Sequence, residues 1–208
     1  MMQNMRSLKL KPALFMALFM ALFWVRSGYS QETDPDLDAH KAALAAYEKG
    51  DFETAFAHWK LLAEKDSPLA QYYMAVLYRD GAGVPQDYVQ ARSWYERAAN
   101  GGSVRALHDL AVMYQGGVGV AQNFAAAFPY LELAAARGYA PSQYNLGVLL
   151  LEGKGTEADA MLGYVWIYRA ATQGLEQALA AQGLVAQTLT LDQLQEARHI
   201  VEAGNDSQ

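Results

Sequence analysis

The chain has 208 residues and no cysteine, with 16 Lys and Arg set against 22 Asp and Glu. That length can bury one sizeable core, and without cysteine the core must stand on packing alone, with no disulfide framework. The acidic balance argues against nucleic acid as a partner, because it would repel the phosphates.

Chain order opens with Arg6, Lys9 and Lys11, followed by the uncharged apolar run Pro12 to Val25 and then Arg26 to Ser30, where Gly28 and Ser30 are small. Basic, apolar, then small residues is the order of a secretory signal peptide, so residues 1–30 are assigned to one, cut after Ser30. The competing reading is an uncleaved membrane anchor. Against it, the apolar run is short for a span of about 20 residues, and Arg26 and Tyr29 prevent its extension toward the C-terminus. Cleavage leaves 12 Lys and Arg against the same 22 acids, a net charge of −10. With no cysteine at the cut for a lipid anchor, a soluble periplasmic or secreted protein is expected, with no stable membrane insertion.

Residues 31–40 are acidic. Asp34, Asp36 and Asp38 alternate as in a calcium loop, but Ala39 stands at the glycine position and Ala45 at the closing glutamate position. An acidic first helical turn near Pro35 is the better reading. Leu44, Ala45 and Tyr47 suit one helix ended by Gly50; a second comes next, capped by Asp51, with Ala55, Trp59, Leu62 and Ala63 as its buried stripe.

From Ala70 the chain repeats every 36 residues. Ala70 falls on Ala106, Ser142 and Ala178; Gly81 on Gly117 and Gly153; Gly83 on Gly119 and Gly155; Asp87 on Asn123 and Asp159; Gly102 on Gly138 and Gly174. A period of this length predicts stacked units that share one core. In each unit a first helix carries a small residue at its middle (Ala75, Ala111, Gly147), where packed backbones approach, and a glycine loop ends it. The second helix starts at the Asp or Asn cap and carries paired alanines and large aromatics, Trp94, Tyr95, Tyr130 and Trp166. Residues 40–69 form an earlier pair with a short loop; 70–105, 106–141 and 142–177 are the full repeats; 178–203 cap the stack, with Thr190 and Gln193 as a capping box and a polar outer face at Gln195, Glu196, Arg198 and Glu202. Residues 31–203 are thus one all-α domain, and 204–208 a frayed tail. Pro129, inside a second helix, predicts a kink near Phe128 or a late helix start.

The segment Leu146 to Gly155, "LGVLLLEGKG", with "WIYRAATQG" at Trp166 to Gly174 and their two upstream copies, resembles the Sel-one-like repeat family, the glycine-loop branch of the tetratricopeptide superfamily. The resemblance covers residues 70–178 fully, and 40–69 and 179–203 loosely; "LTLDQLQEA" at Leu189 to Ala197 is similar to the end helix that closes such repeats. Leu150, Gly163 and Thr156 to Ala158 depart from the family pattern (Tyr, Ala and "VPQ"), which bears on local packing and leaves the fold as expected. The resemblance implies a right-handed α-solenoid of about five antiparallel helix pairs. It also implies an adaptor of the kind found in bacterial envelope signalling and polysaccharide export.

A search for chemistry yields little. His40, His58, His108 and His199 show no metal spacing, no nucleophile or phosphate-loop motif is present, and the glycines belong to the repeat loops. No catalytic residue, metal or cofactor is therefore assigned. Relatives linked to β-lactam binding or hydrolysis carry disulfide-forming cysteines that this chain lacks, which leaves an enzyme as a remote alternative. In related stacks the first helices line the inner curve. On that basis a partner groove is expected from Tyr72, Val76 and Arg79, from His108, Val112 and Gln115, and from Tyr144, Val148 and Leu151, with Tyr72, His108 and Tyr144 as an aromatic ladder. Such a strip suits an extended peptide or a partner helix in the cell envelope. Glycan contact, as part of a polysaccharide machine, is the alternative; the competing view of each ring is plain packing between repeats.

Overall fold

The structure is a computed structural model that describes residues 35–205. The expected signal peptide, Asp34 and residues 206–208 lie outside the described residues. The chain divides into two compact units, Met1–Leu37 and Asp38–Gln208; of the first, only Pro35–Leu37 are described.

Ten α-helices and no strand occur among the described residues: α1 Pro35–Glu48, α2 Phe52–Glu64, α3 Pro68–Asp80, α4 Tyr88–Asn100, α5 Val104–Gly116, α6 Phe124–Ala136, α7 Ala140–Glu152, α8 Ala160–Thr172, α9 Glu176–Ala186 and α10 Leu191–Asn205. From Asp38 onward they form an all-α solenoid in which each helix from α2 to α9 packs on the next, and α10 returns to pack on α8. Gly204 and Asn205, expected in the frayed tail, belong to α10.

Local chemistry fixes the helix ends. Asp51, Asp87, Asn123 and Asp159 each accept a backbone N–H from the first turn of the helix they precede, at 2.9–3.2 Å. Such a cap stabilises a helix by about 1 kcal/mol. Ser67 and Ser103 do the same for α3 and α5. Gly81, Gly117 and Gly153 close α3, α5 and α7 with φ of +67°, +67° and +64°, a left-handed conformation that costs glycine little. The second loop glycines do more than turn. A Cβ on Gly83, Gly119 or Gly155 would lie 2.6, 2.5 and 2.5 Å from atoms of Phe52, Tyr88 and Phe124, the first residues of α2, α4 and α6. Each loop is seated against the preceding helix pair.

The core runs through the stack in register. Trp59, Tyr95, Leu131 and Ile167 occupy equivalent positions on α2, α4, α6 and α8, and Met74, Leu110 and Leu146 on α3, α5 and α7; all are at most 1% exposed. Full burial of each such side chain contributes roughly 1.5–3 kcal/mol relative to exposure. The small residues at the helix crossings are Ala75, Ala111 and Gly147, all buried. Gly163, a departure from the family pattern, faces Gly147: a Cβ on either would come within 2.9 Å of the other's carbonyl oxygen, so both glycines are needed for that crossing.

Helices α1 and α6 both form where expected, and the structure adds a detail to each. In α1 the buried residues are Ala43 and Ala46, with Ala39 and Tyr47 packed beside them, whereas Leu44 is 40% exposed. The stripe i, i+4, i+7, i+8 turns Leu44 and Ala45 outward. In α6 the helix starts at Phe124, directly after its Asn123 cap, and runs unbroken through Pro129 to Ala136, so its start is not delayed. The capping box at α10 forms: Thr190 N–H donates to Gln193 Oε1 at 2.9 Å, and Gln193 N–H to Thr190 Oγ1 at 3.3 Å. Ala197 and Val201 bury one face of α10 against Tyr164 and Val165, and Gln195, Glu196, Arg198 and Glu202 stay exposed.

Candidate functional site

The nine groove residues expected from the sequence all lie on the first helices α3, α5 and α7, but they do not form one strip. Val76 is buried in the same cluster as Leu110 and Met113 of the next repeat, so it is core and offers a partner nothing. Tyr144 and Leu151 are half-buried against the Ile167, Ala170 and Ala171 cluster, and Val148 is half-buried. Val112 is 43% exposed. Gln115 is half-buried, and its backbone carbonyl accepts from Gln122 Nε2 at 2.7 Å. Tyr72, His108 and Tyr144 have no ring contact with one another among the described residues. Tyr72 instead packs on Tyr73 and Tyr95, and His108 meets Tyr139 edge-on at 5.3 Å.

What the fold does bring together is a polar cluster where α3, α4 and α5 meet. Arg79, in the last turn of α3, donates from Nε and Nη2 to Asp80 at 2.7 and 3.0 Å, and from Nη1 to the Tyr95 hydroxyl at 3.1 Å. Asp109, one turn into α5, lies 3.9 Å from Arg79 Nη1 through an Oδ2 atom that is shut away from water and accepts no hydrogen bond. Burial, reinforced by the charge of Asp109, holds the Tyr72 and Tyr95 hydroxyls well above the usual tyrosine range, so both remain neutral donors. Hydrogen bonding to Asp80 keeps Arg79 firmly protonated. The cluster opens on a cleft of about 440 Å³ whose walls include Tyr88, Val112, Met113 and Val118. Of the expected residues, Arg79 and Val112 line it together; Asp80, Tyr95 and Asp109 were not anticipated as site residues. One signal was available: at the position of Asp109 the other copies carry Tyr73 and Asn145, so this acid breaks the repeat.

His108 Nδ1 lies 2.9 Å from the Ser142 hydroxyl, a bond across consecutive repeats. Burial lowers the His108 pKa below its ordinary 6.5, with Asp109 pulling the other way. Ser142 is wholly buried, which makes this pair a packing contact with no route to a substrate. Among the described residues no three or more His, Asp or Glu side chains gather as a metal site, and no helix is long and apolar enough to cross a membrane. The groups at the cleft are suited to recognising charge and hydrogen-bond donors.

Three consecutive stretches, residues 68–103, 104–139 and 140–175, match the family of the Sel1 repeat. The fold is similar to the crystal structure of a Sel1 repeat protein from Oxalobacter formigenes (30% identity, TM-score 0.67), over 70% of this chain and 60% of that one. It is equally similar to a protective antigen present in uropathogenic Escherichia coli strains that displays an SLR fold (28% identity, TM-score 0.68), over 72% of this chain and 33% of that one. An exopolysaccharide production negative regulator from Rhizobium leguminosarum bv. viciae is 34% identical over 80 residues, which is 38% of this chain and 30% of that protein. The chain thus spans less than two thirds of the length of each of these relatives.

Proposed function

The chain belongs to the Sel1 repeat family, and from that premise we propose that it is a non-catalytic adaptor of the bacterial cell envelope that holds a protein or peptide partner along its first helices. The observation that carries this reading is the cleft at the α3–α4–α5 junction, where Arg79 and Val112 stand partly exposed beside Asp80, Tyr95 and Asp109. The acidic chain, with 22 Asp and Glu against 16 Lys and Arg, favours a basic partner surface. The test is affinity capture from the envelope fraction of the producing cells, with the parent protein and an Arg79→Ala, Val112→Asp, Gln115→Ala triple variant as baits. The parent is expected to retain a protein that the variant loses while its helical circular-dichroism spectrum at the capture temperature is unchanged. Equal capture by both moves the site off these helices.

A second reading draws on the Rhizobium relative, an exopolysaccharide regulator: the adaptor works within a polysaccharide machine and touches glycan as well as protein. Half-buried Trp94 and Trp166 on the second helices each carry an arginine over one ring face, Arg97 and Arg169, so a stacking sugar would need the ring edge or would displace the guanidinium. Calorimetric titration with purified envelope polysaccharide separates the two readings, since absence of heat at any concentration leaves protein as the only ligand.

A further inference from the structure

We propose that α9 is a docking face for a second copy of this chain, two α9 helices crossing about a two-fold axis beside Gly183. The inference goes beyond the adaptor reading and does not rest on it.

In the three full repeats the first helix is covered by the second helix of its own pair. Ala75 packs with Ala91 and Tyr95, Ala111 with Ala127 and Leu131, and Gly147 lies against Gly163 and Ile167. In the same register α9 carries Gly183, 36 residues after Gly147. There the pattern stops, because the helix that follows spends its apolar face elsewhere: Ala197 and Val201 of α10 are buried against Tyr164 and Val165 of α8. Among the described residues, a Cβ on Gly183 would meet nothing within 4 Å. Leu179 is 52% and Leu184 69% exposed, and Ala180 between them is open too. Leu179 stands where Gln71, Leu107 and Gln143 are all buried. Leu179, Ala180, Gly183 and Leu184 share one face of the helix. That face has the small residue of a helix crossing and no helix upon it.

The occupant follows from what the crossing needs. Helices approach most closely where both sides are small. Gly147 and Gly163 show it, since a Cβ on either would come within 2.9 Å of the other's carbonyl oxygen. A second copy always meets that need, because a two-fold axis beside Gly183 sets glycine against glycine and brings the exposed leucines of both copies together. Charge allows it as well. The chain has 22 Asp and Glu against 16 Lys and Arg, which repels copies elsewhere, yet no residue from Gln177 to Leu191 is charged. The face is small, as a helix of 11 residues is about 16 Å long, so the dimer is weak, with a Kd on the order of 10 μM.

The experiment is sedimentation velocity of the purified protein from about 1 μM to about 500 μM, across which monomer is expected to give way to dimer. Gly183→Leu should weaken the dimer by about tenfold or more. The monomer of that variant should melt no lower than the parent, because the new side chain meets open space in a helix that leucine favours. Leu184→Glu sets like charges across the axis and should weaken the dimer as much; it stands as the test if Gly183→Leu does not fold. The absence of cysteine permits a direct check of the symmetry. Gly183→Cys should give a disulfide-linked dimer under mild oxidation, since a glycine crossing brings the two Cα atoms within the roughly 4.4–6.8 Å that a disulfide spans. Leu61→Cys, at an exposed position of α2, should not. A parent that stays monomeric throughout, a dimer that survives both substitutions, growth into species larger than a dimer, or equal cross-linking at positions 61 and 183 would each overturn the proposal.

Discussion

Two neighbouring junctions of the stack are built from the same parts and end differently. At both, a first helix ends on a left-handed glycine, a loop glutamine donates back to that helix (Gln86 to the Arg79 carbonyl at 2.8 Å, Gln122 to the Gln115 carbonyl at 2.7 Å), and an Asp or Asn caps the next helix. Where the α3–α4–α5 junction sets the Tyr95 hydroxyl near Asp109, the equivalent positions at the α5–α6–α7 junction are Leu131 and Asn145. One pair back, the same two positions are Trp59 and Tyr73, stacked in parallel at 4.1 Å. What the junctions share is what stacking requires; where they differ, stacking does not dictate the residues.

That contrast can be broken in several ways. The largest effect is expected at the closed junction: Leu131→Ala should cost about 3 kcal/mol in urea unfolding, because a fully buried side chain is removed where helices cannot close the gap. A loss below about 1 kcal/mol would mean that this junction is as open as its neighbour. Pro129→Ala in α6 should stabilise by about 2 kcal/mol, since it restores a backbone hydrogen bond in an unbroken helix at an exposed position; an unchanged melting temperature would show that the helix has already absorbed the proline. The double change Arg79→Gln with Asp109→Asn rebuilds the open junction in the chemistry of its neighbour. It should alter stability by about 1 kcal/mol or less, as removing both members of a charged pair does, and a larger loss in the same denaturation assay would make the cluster structural. The smallest effect is on pH. The imidazole of His108 titrates below its ordinary 6.5, so the unfolded chain binds its proton first and stability falls as pH drops from about 7.5 through that window. His108→Gln should flatten part of this fall in thermal melts between pH 7.5 and 5.5; an unchanged slope would place the titration elsewhere.

The fold was legible because its signals are local and repeated. Caps at Asp87, Asn123 and Asp159, turns at Gly81, Gly117 and Gly153, and the buried series from Trp59 to Ile167 each recur at one spacing and have one physical cause. The site was legible only in part, because register does not fix exposure. Val76 and Val112 are equivalent in sequence, yet one is 6% and the other 43% exposed, since Val76 packs with Leu110 and Met113 of the next repeat and Val112 joins no such cluster. Asp109 went unread for a different reason. Its meaning comes from Arg79 and Tyr95, which lie 30 and 14 residues away in the chain and meet it only through packing.

The loop glycines Gly83, Gly119 and Gly155 also bear on how such a chain can change length. Each rests on a residue 31 positions earlier, across the boundary of its own unit. The loop joining α1 to α2 and the turn joining α9 to α10 carry no such second glycine. Loss or duplication of a whole 36-residue unit would give every surviving loop an equivalent seat, whereas an indel of any other size would leave one loop facing the wrong residue. The array can therefore be lengthened or shortened only in whole units, and a polar cluster placed at one junction travels intact through such events.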